Sequence, residues 1–376
     1  MTLESLQNLL LLLACLVYAP IRGSARCPVD SPKRVIIIQM AHLGDMVCTT
    51  PMFRAVKQSY PQTRIFVVGN TINKEILNGN PDVDGYIVWN KKVLEMIRTV
   101  RTLRCDFGVV TGPNFTGMAV LFLAGIRSIA APRVEGAKIP LETKPYHILR
   151  RWVQLVPHVL GSYAPREYLK LLEPIGIKST DTRKYVFYTR EALESVIEKL
   201  RNSIIGTRKF TIIAPGAGHP AKRWPGQRFA AVAEYITTHY MPVVVIGGPK
   251  DLQDVEVMMG AVSHPDVVDF SGGQPSIDEL KALVSRASLF VSVDTGPLYI
   301  AEAFGVPTID IVGPTSETVQ PPIGPKNLVI VPERKNPTMT MFHTRVIDVL
   351  ETKRQAEATT VEEVTAAVDT LMAHIS

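Results

Sequence analysis

From Arg34 onward, short apolar runs alternate with longer stretches of helical period. RVIIIQM, RIFVVG, GYIVW and FGVVTG read as buried strands bounded by polar or turn-forming residues. Between them, MVCTTPMFRAVKQSY and KKVLEMIRTVRTLR carry an apolar residue every three or four positions and read as helices. Strand, helix, strand in this rhythm predicts an α/β fold with a parallel, doubly wound sheet. Residues 132–180 break the rhythm with Pro132, Pro140, Pro145, Pro157, Pro165 and Pro174; one helix, about Ile148 to Leu160, is expected there, capping the first domain. The rhythm returns with KFTIIAPG, PVVVIGGP, VVDFSG, LFVSVD, PTIDIVGP and LVIVP, separated by WPGQRFAAVAEYITTHY, DLQDVEVMMGAV and SIDELKALVSRA. A second sheet of the same kind is therefore expected, with a domain boundary between residues 189 and 208 and a final amphipathic helix in TVEEVTAAVDTLMAHI.

The N-terminus stands outside this pattern. Leu9 to Pro20 is an apolar run shorter than the roughly 20 residues that span a bilayer. Arg22, Arg26, Lys33 and Arg34 follow it and no basic residue precedes it, which argues against a secretory signal and places any membrane contact on the cytoplasmic face. Two readings stand: a peripheral contact with the inner membrane, or a helix docked on a neighbouring domain or subunit.

With 376 residues, 46% of them hydrophobic and 20% charged, the chain has room for two globular cores. A net charge of +6 favours acidic partners but lacks the dense basic clustering of a nucleic-acid binder. Cys15, Cys27, Cys48 and Cys105 follow no metal-ligand spacing and suggest no disulfide framework, so a reducing, cytoplasmic setting is the simplest reading.

Two doubly wound domains place their ligand sites in the loops beyond the carboxyl ends of the strands. Four such loops stand out. In SVDTGPLYIAEAFGVP a strand ends near Asp294, and Gly296-Pro297 opens a helix whose free N–H groups and dipole suit a phosphate, with Asp294 and Thr295 beside it to fix hydroxyls. In Ala41-His-Leu-Gly-Asp-Met46, Gly44 permits a tight turn and Asp45 opens the next helix. In GAGHPAKRWP, Gly216 and Gly218 flank Ala217, and Lys222 and Arg223 bring positive charge suited to a diphosphate; the spacing is not that of a P-loop. In GGPKD, Asp251 is placed to hold ribose hydroxyls. Each acidic residue also has an ordinary explanation as a helix N-cap, and the Lys-Arg pair as a solvated one.

HLGDMVCTTPMFRAVKQSYP, AKRWP, GGP-x-D and VDTGPLYIAEAFGVPTIDIVGPT resemble, in order, the motifs of glycosyltransferase family nine, the ADP-heptose:lipopolysaccharide heptosyltransferases. The resemblance runs from about Arg34 to Pro314. It implies a GT-B fold of two Rossmann-like domains facing a central cleft, divided as a hydrophobic segment 1–33, an acceptor-side domain 34–189, a nucleotide-sugar domain 190–345 and a C-terminal helix 346–376 that returns to the first domain. It further implies inverting, metal-independent transfer of a heptose or related sugar from a nucleotide-diphosphate sugar, an ADP-sugar foremost, to a lipopolysaccharide or other surface-glycan acceptor. No cofactor beyond the donor substrate is implied.

Carried onto this chain, the resemblance implies Asp45 as the general base, Lys222 as the group that neutralises the departing diphosphate, and Gly44, Gly216, Ala217, Asp251, Asp294, Thr295, Gly296, Pro297 and Tyr299 as donor-side residues. The chain departs from the family in three places: Tyr299 replaces a usual His, Val47-Cys48 stands where a His is usual, and Ala217-Gly218 replaces common hydroxyl residues. These changes leave the donor sugar open. Arg133, Lys138, Lys144 and Arg150, with Arg127 and Arg151, lie on the side where a GT-B acceptor binds and would suit an acidic glycolipid or polysaccharide; a solvated basic face is the simpler and favoured reading of them. A nucleotide-sugar 2-epimerase of the same fold, or a non-catalytic binding protein, are the alternative functions.

Overall fold

The computed structural model describes residues 3–135, 139–272, 275–340 and 345–375. Two compact units emerge, Met1–Arg183 and Lys184–Ser376, so the division falls a few residues ahead of the expected one. In the first unit, α1 (Leu3–Arg22) precedes β1 (Arg34–Ile38), α2 (Leu43–Ser59), β2 (Arg64–Gly69), α3 (Thr71–Ile76), β3 (Gly85–Val88), α4 (Val93–Leu103), β4 (Phe107–Val110), α5 (Phe115–Leu123), β5 (Ser128–Glu135), α6 (Lys144–Leu149), β6 (Gln154–Val159) and α7 (Ala164–Lys170). The strands form one sheet in the order β3-β2-β1-β4-β5-β6, every neighbouring pair parallel. Val35 to Ile38 of β1 are buried on both faces, which is why that strand reads as a continuous apolar run.

The expected helix from Ile148 to Leu160 is not there. Helix α6 stops at Leu149, a single 3-10 turn covers Arg150–Trp152, and Gln154–Val159 pairs with β5 as a sixth strand. Pro157 lies within it, opposite Arg133. An edge strand tolerates a residue without an N–H because one side of its backbone has no partner, so the proline that argued against a strand marks an edge.

The second unit contains α8 (Arg190–Arg201), β7 (Thr211–Ala214), α9 (Gly226–His239), β8 (Val243–Val245), α10 (Leu252–Met259), β9 (Val267–Asp269), α11 (Ile277–Ser285), β10 (Leu289–Val293), α12 (Gly296–Ala303), β11 (Thr308–Ile311), β12 (Asn327–Ile330), a short ribbon of β13 (Met339–Thr340) and β14 (Arg345–Val346), α13 (Val349–Glu357) and α14 (Val361–Ile375). Its main sheet runs β12-β11-β10-β7-β8-β9, again all parallel. The two sheets share one winding: the first and fourth strands of each unit, β1 with β4 and β7 with β10, lie side by side at the centre. There the connections leave in opposite directions and open a crevice beyond the strand ends.

The expected amphipathic C-terminal helix is present as α14. Val364, Val368, Leu371 and Met372 of α14 are buried in the same cluster as Phe229, Val232 and Ile236 of α9, so its apolar stripe completes the core of the second unit. At the other end of the chain, Leu11, Leu12, Cys15 and Ala19 of α1 join the core of the first unit with Met118, Leu121 and Phe122 of α5. All four cysteines are free thiols, three of them buried.

Candidate active site

In the first unit the loop after β1 delivers Asp45 into the first turn of α2. Its Oδ2 accepts the backbone N–H of His42 at 3.1 Å, as an N-terminal capping carboxylate does, while Oδ1 accepts the Tyr168 hydroxyl of α7 at 3.2 Å. Burial and the adjacent Asp45 carboxylate hold the Tyr168 phenol well above its ordinary range, so it stays a donor. The loop itself is tied down. Gln39 donates to Thr49 (2.9 Å) and accepts from Ala41 N (3.1 Å), and the Asn70 and Asn73 side chains each donate to the Ala41 carbonyl at 3.0 Å. Gly44 is buried and Asp45 half-buried. The carboxylate is thus an N-terminal cap, fixed in place and partly exposed.

In the second unit the loop after β7 and the loop after β10 flank the central pair of strands. Lys222 closes a short 3-10 turn, Pro220–Lys222, in which the His219 ring accepts the Ala221 N–H at 3.1 Å. Trp224, only 2% exposed, anchors the far side: its indole N–H donates to Thr359 O at 2.9 Å and its ring meets Phe229 edge-on at 4.8 Å. The Lys222 ammonium then reaches Asp294 Oδ2 at 2.7 Å, with the Asp294 carbonyl at 3.3 Å.

Asp294 is nearly buried, and both its oxygens are engaged. Oδ2 also accepts the Thr315 hydroxyl at 3.0 Å, and Oδ1 accepts the Tyr299 hydroxyl. Burial pushes this carboxyl up, yet Lys222, Tyr299 and Thr315 together hold it below the usual carboxylate range, so it is ionised. Asp294 therefore orients the lysine, and its carboxylate is spent on the protein's own donors. Tyr299 is 2% exposed and faces that carboxylate rather than open solvent. Its ring lies 5.7 Å from the ammonium of Lys184, which is paired with Glu302 of α12 at 2.6 Å.

Next to this cluster Thr295, Gly296 and Pro297 begin α12. Thr295 occupies the N-cap in an extended conformation and makes no side-chain cap, and Pro297 lies in the first turn, where it has no N–H to satisfy. The Lys222 ammonium and the uncapped N-terminus of an eight-residue helix thus lie on adjacent loops, two sources of positive potential for one anion.

Asp251 lies against the Lys222 loop through Gly216: a Cβ at Gly216 would fall 2.3 Å from the Asp251 carboxyl carbon, so only glycine admits this approach. The Asp251 Oδ2 accepts Gly248 N–H at 3.0 Å and makes no cap to α10. Burial raises this carboxyl, opposed by the Gly248 N–H, Arg223 and Lys250. Ala217 is 8% exposed and belongs to the apolar core under the loop.

One buried acid escaped the sequence reading. Asp310 of β11 sits in register with Ser292 of β10, 2% exposed, with Oδ1 lacking any hydrogen-bond partner. Burial, then the Asp294 charge, pushes it well above the carboxylate range, so it is protonated beside the ionised Asp294. The two acids and Tyr299 line one crevice with Glu317 and Gln320. The signal was the acid inside the otherwise uncharged, buried run TIDI. Tyr168 left no comparable signal, since nothing local ties it to a residue more than a hundred positions earlier.

The basic residues expected on the acceptor side are partly neutralised. Arg133 pairs with Glu135 at 2.8 Å and Arg150 with Glu142 at 3.4 Å, while Lys144 is exposed at the start of α6. Lys138 lies outside the described residues.

The sequence profile of glycosyltransferase family 9 (heptosyltransferase) matches residues 136–345, more than half of the chain. The chain belongs to glycosyltransferase family 9. Its reaction class is therefore glycosyl transfer. It is 26% identical over 288 residues to lipopolysaccharide heptosyltransferase 3 of Escherichia coli, covering 72% of this chain and 81% of the relative. A family 9 glycosyltransferase from Veillonella parvula superposes with a TM-score of 0.75 at 21% identity, over 91% of this chain and 98% of the other. ADP-heptose LPS heptosyltransferase II of E. coli superposes with 0.72 at 19% identity, over 91% and 99%. These superpositions confirm the GT-B architecture expected from the motifs.

Proposed function

We propose that this family 9 enzyme transfers a heptose, or a closely related sugar, from a nucleotide-diphosphate sugar, foremost an ADP-sugar, to a lipopolysaccharide-type acceptor, with inversion and without a metal ion. The observation that carries the reading is the Lys222 ammonium, held at 2.7 Å by a buried carboxylate beside the uncapped N-terminus of α12. A diphosphate leaving group needs its developing charge met by fixed dipoles and cations, and this pairing supplies both from the protein. The names of the relatives, a lipopolysaccharide heptosyltransferase and an ADP-heptose LPS heptosyltransferase, support the choice of donor and acceptor.

In this reading Asp45 takes the proton of the acceptor hydroxyl as its oxygen attacks the anomeric carbon from the face opposite the leaving diphosphate. Tyr168 keeps Asp45 oriented by donating to Oδ1, and the His42 N–H does so at Oδ2. Lys222 and the N–H groups of the first turn of α12 receive the diphosphate, and Asp251 receives the ribose hydroxyls. Asp294, Thr315 and Tyr299 act through the lysine as positioning residues.

Titration calorimetry of ADP, UDP and GDP against the full chain in EDTA tests the donor. Tight binding of ADP alone is the expected result; a preference for UDP or GDP would overturn the ADP-sugar donor, and loss of all binding in EDTA would overturn metal independence.

A further inference from the structure

Helix α1 is apolar on both faces. Leu11, Leu12, Cys15 and Ala19 are buried in the first unit, where the Asn8 side chain accepts from Thr116 (3.4 Å) and Tyr18 packs edge-on against Phe122 at 6.3 Å. On the opposite face Leu6, Leu9, Leu10, Leu13, Val17 and Ile21 repeat at three- and four-residue steps; Val17 is 74% and Ile21 82% exposed. The helix is 20 residues long, about 30 Å, longer than the apolar run alone suggested and long enough to cross a bilayer. Its buried face is already committed to the core, so only the outer half is available to lipid.

The surroundings of its C-terminal end indicate what covers that half. Ala25 N donates to Trp152 O at 2.7 Å, Arg26 Nε to Val153 O at 2.9 Å, and Cys27 N to Arg127 O at 3.4 Å. The segment leaving α1 is thereby laid between two strand starts, which gathers the exposed Arg26, Arg127 and Arg151 at the end of the apolar stripe. An apolar stripe that ends in exposed cations has the chemistry of a helix lying at a bilayer interface, with side chains in the acyl boundary and guanidinium groups among acidic headgroups. A second copy of this chain would bring the same apolar stripe, so the oligomeric state is measured beside lipid binding.

We propose that α1 docks this enzyme on an anionic membrane surface, lying flat with Leu6, Leu10, Leu13, Val17 and Ile21 in the lipid and Arg26, Arg127 and Arg151 at the headgroups. The surface argument is independent of the donor chemistry, so its failure would leave the transferase reading standing.

The test is co-sedimentation of the full chain with phosphatidylcholine vesicles with and without phosphatidylglycerol, alongside light scattering for oligomeric state. The wild-type chain is expected to bind the anionic vesicles, and less so at high salt. The variant V17E/I21E, altered only at exposed positions, is expected to lose about a hundredfold in vesicle affinity while keeping its circular dichroism spectrum and nucleotide affinity. R127E/R151E is expected to lose about fivefold per arginine on anionic vesicles only. Equal vesicle binding by V17E/I21E and wild type, or no binding of the folded wild type to anionic vesicles, would overturn the proposal. So would a dimer that V17E/I21E splits while vesicle binding stays absent.

Discussion

Asp294 and Lys222 were both legible as candidates, and the structure pairs them with each other. A carboxylate with Lys222 at 2.7 Å, Thr315 at 3.0 Å and Tyr299 on its other oxygen is held by three donors of the protein itself. Lys222→Ala should weaken nucleoside diphosphate binding by about ten- to a hundredfold, the range of a lost charge-assisted hydrogen bond, and calorimetry checks it. The same change strands a buried charge, so the single variant should also melt earlier. Lys222→Met combined with Asp294→Asn should recover the melting temperature without recovering affinity. If affinity returned with stability, the lysine would be structural only.

The pair Asp294 and Asp310 also gives pH dependence a sign. Asp294 is depressed in the folded state, so its stabilisation is present above the ordinary carboxylate range and fades as pH falls toward its folded value. Asp310 is raised, so the folded state keeps a proton that the unfolded chain loses, and its penalty grows as pH rises above about 4. Asp310→Asn, which keeps the shape and removes the titration, should therefore raise the melting temperature at pH 8 more than at pH 5. Equal shifts at both values would show that Asp310 is not the protonated partner.

At the scale of elements, the continuous apolar runs were readable because strands buried on both faces leave no alternation to confuse, as in RVIII of β1 and LFVSV of β10. The strands β5 and β6 were hidden by Pro132 and Pro157, residues that only tertiary position makes tolerable. The largely apolar α5 gave no period because it is buried on most sides. The loops that carry the site were readable from Gly, Asp and Lys just past strand ends, whereas the Tyr168 contact with Asp45 depends on α7 packing beside α2 and could not be read locally. Tyr168→Phe should lower kcat about tenfold with the donor KM unchanged, as expected of a group that only orients the base; a matching loss in donor affinity would contradict that role. Trp224 shows how an element holds a site from outside it. Trp224→Ala should cost about 3–5 kcal/mol in chemical denaturation, because the indole fills the core under the Lys222 loop and donates to Thr359.

At the scale of the whole molecule, each unit builds the same order of parallel strands and places its candidate groups beyond the central pair, Asp45 after β1, Lys222 after β7 and Asp294 after β10. In the proposed reading one winding serves two different tasks, proton removal in one unit and charge neutralisation in the other. The family match covers residues 136–345 and so includes Lys222, Asp251, Asp294 and Tyr299, while Gly44 and Asp45 lie outside it and the role proposed for Asp45 rests on the motif resemblance and the chemistry of its loop. The most direct test of that division of labour is single-turnover transfer from ADP-heptose to a lipid-linked core acceptor in EDTA, comparing wild type with Asp45→Asn and reading product stereochemistry by NMR. The account predicts an inverted product from the wild type, and from Asp45→Asn a rate about a thousandfold lower with ADP affinity unchanged. Undiminished transfer by Asp45→Asn, or retention at the anomeric carbon, would contradict it.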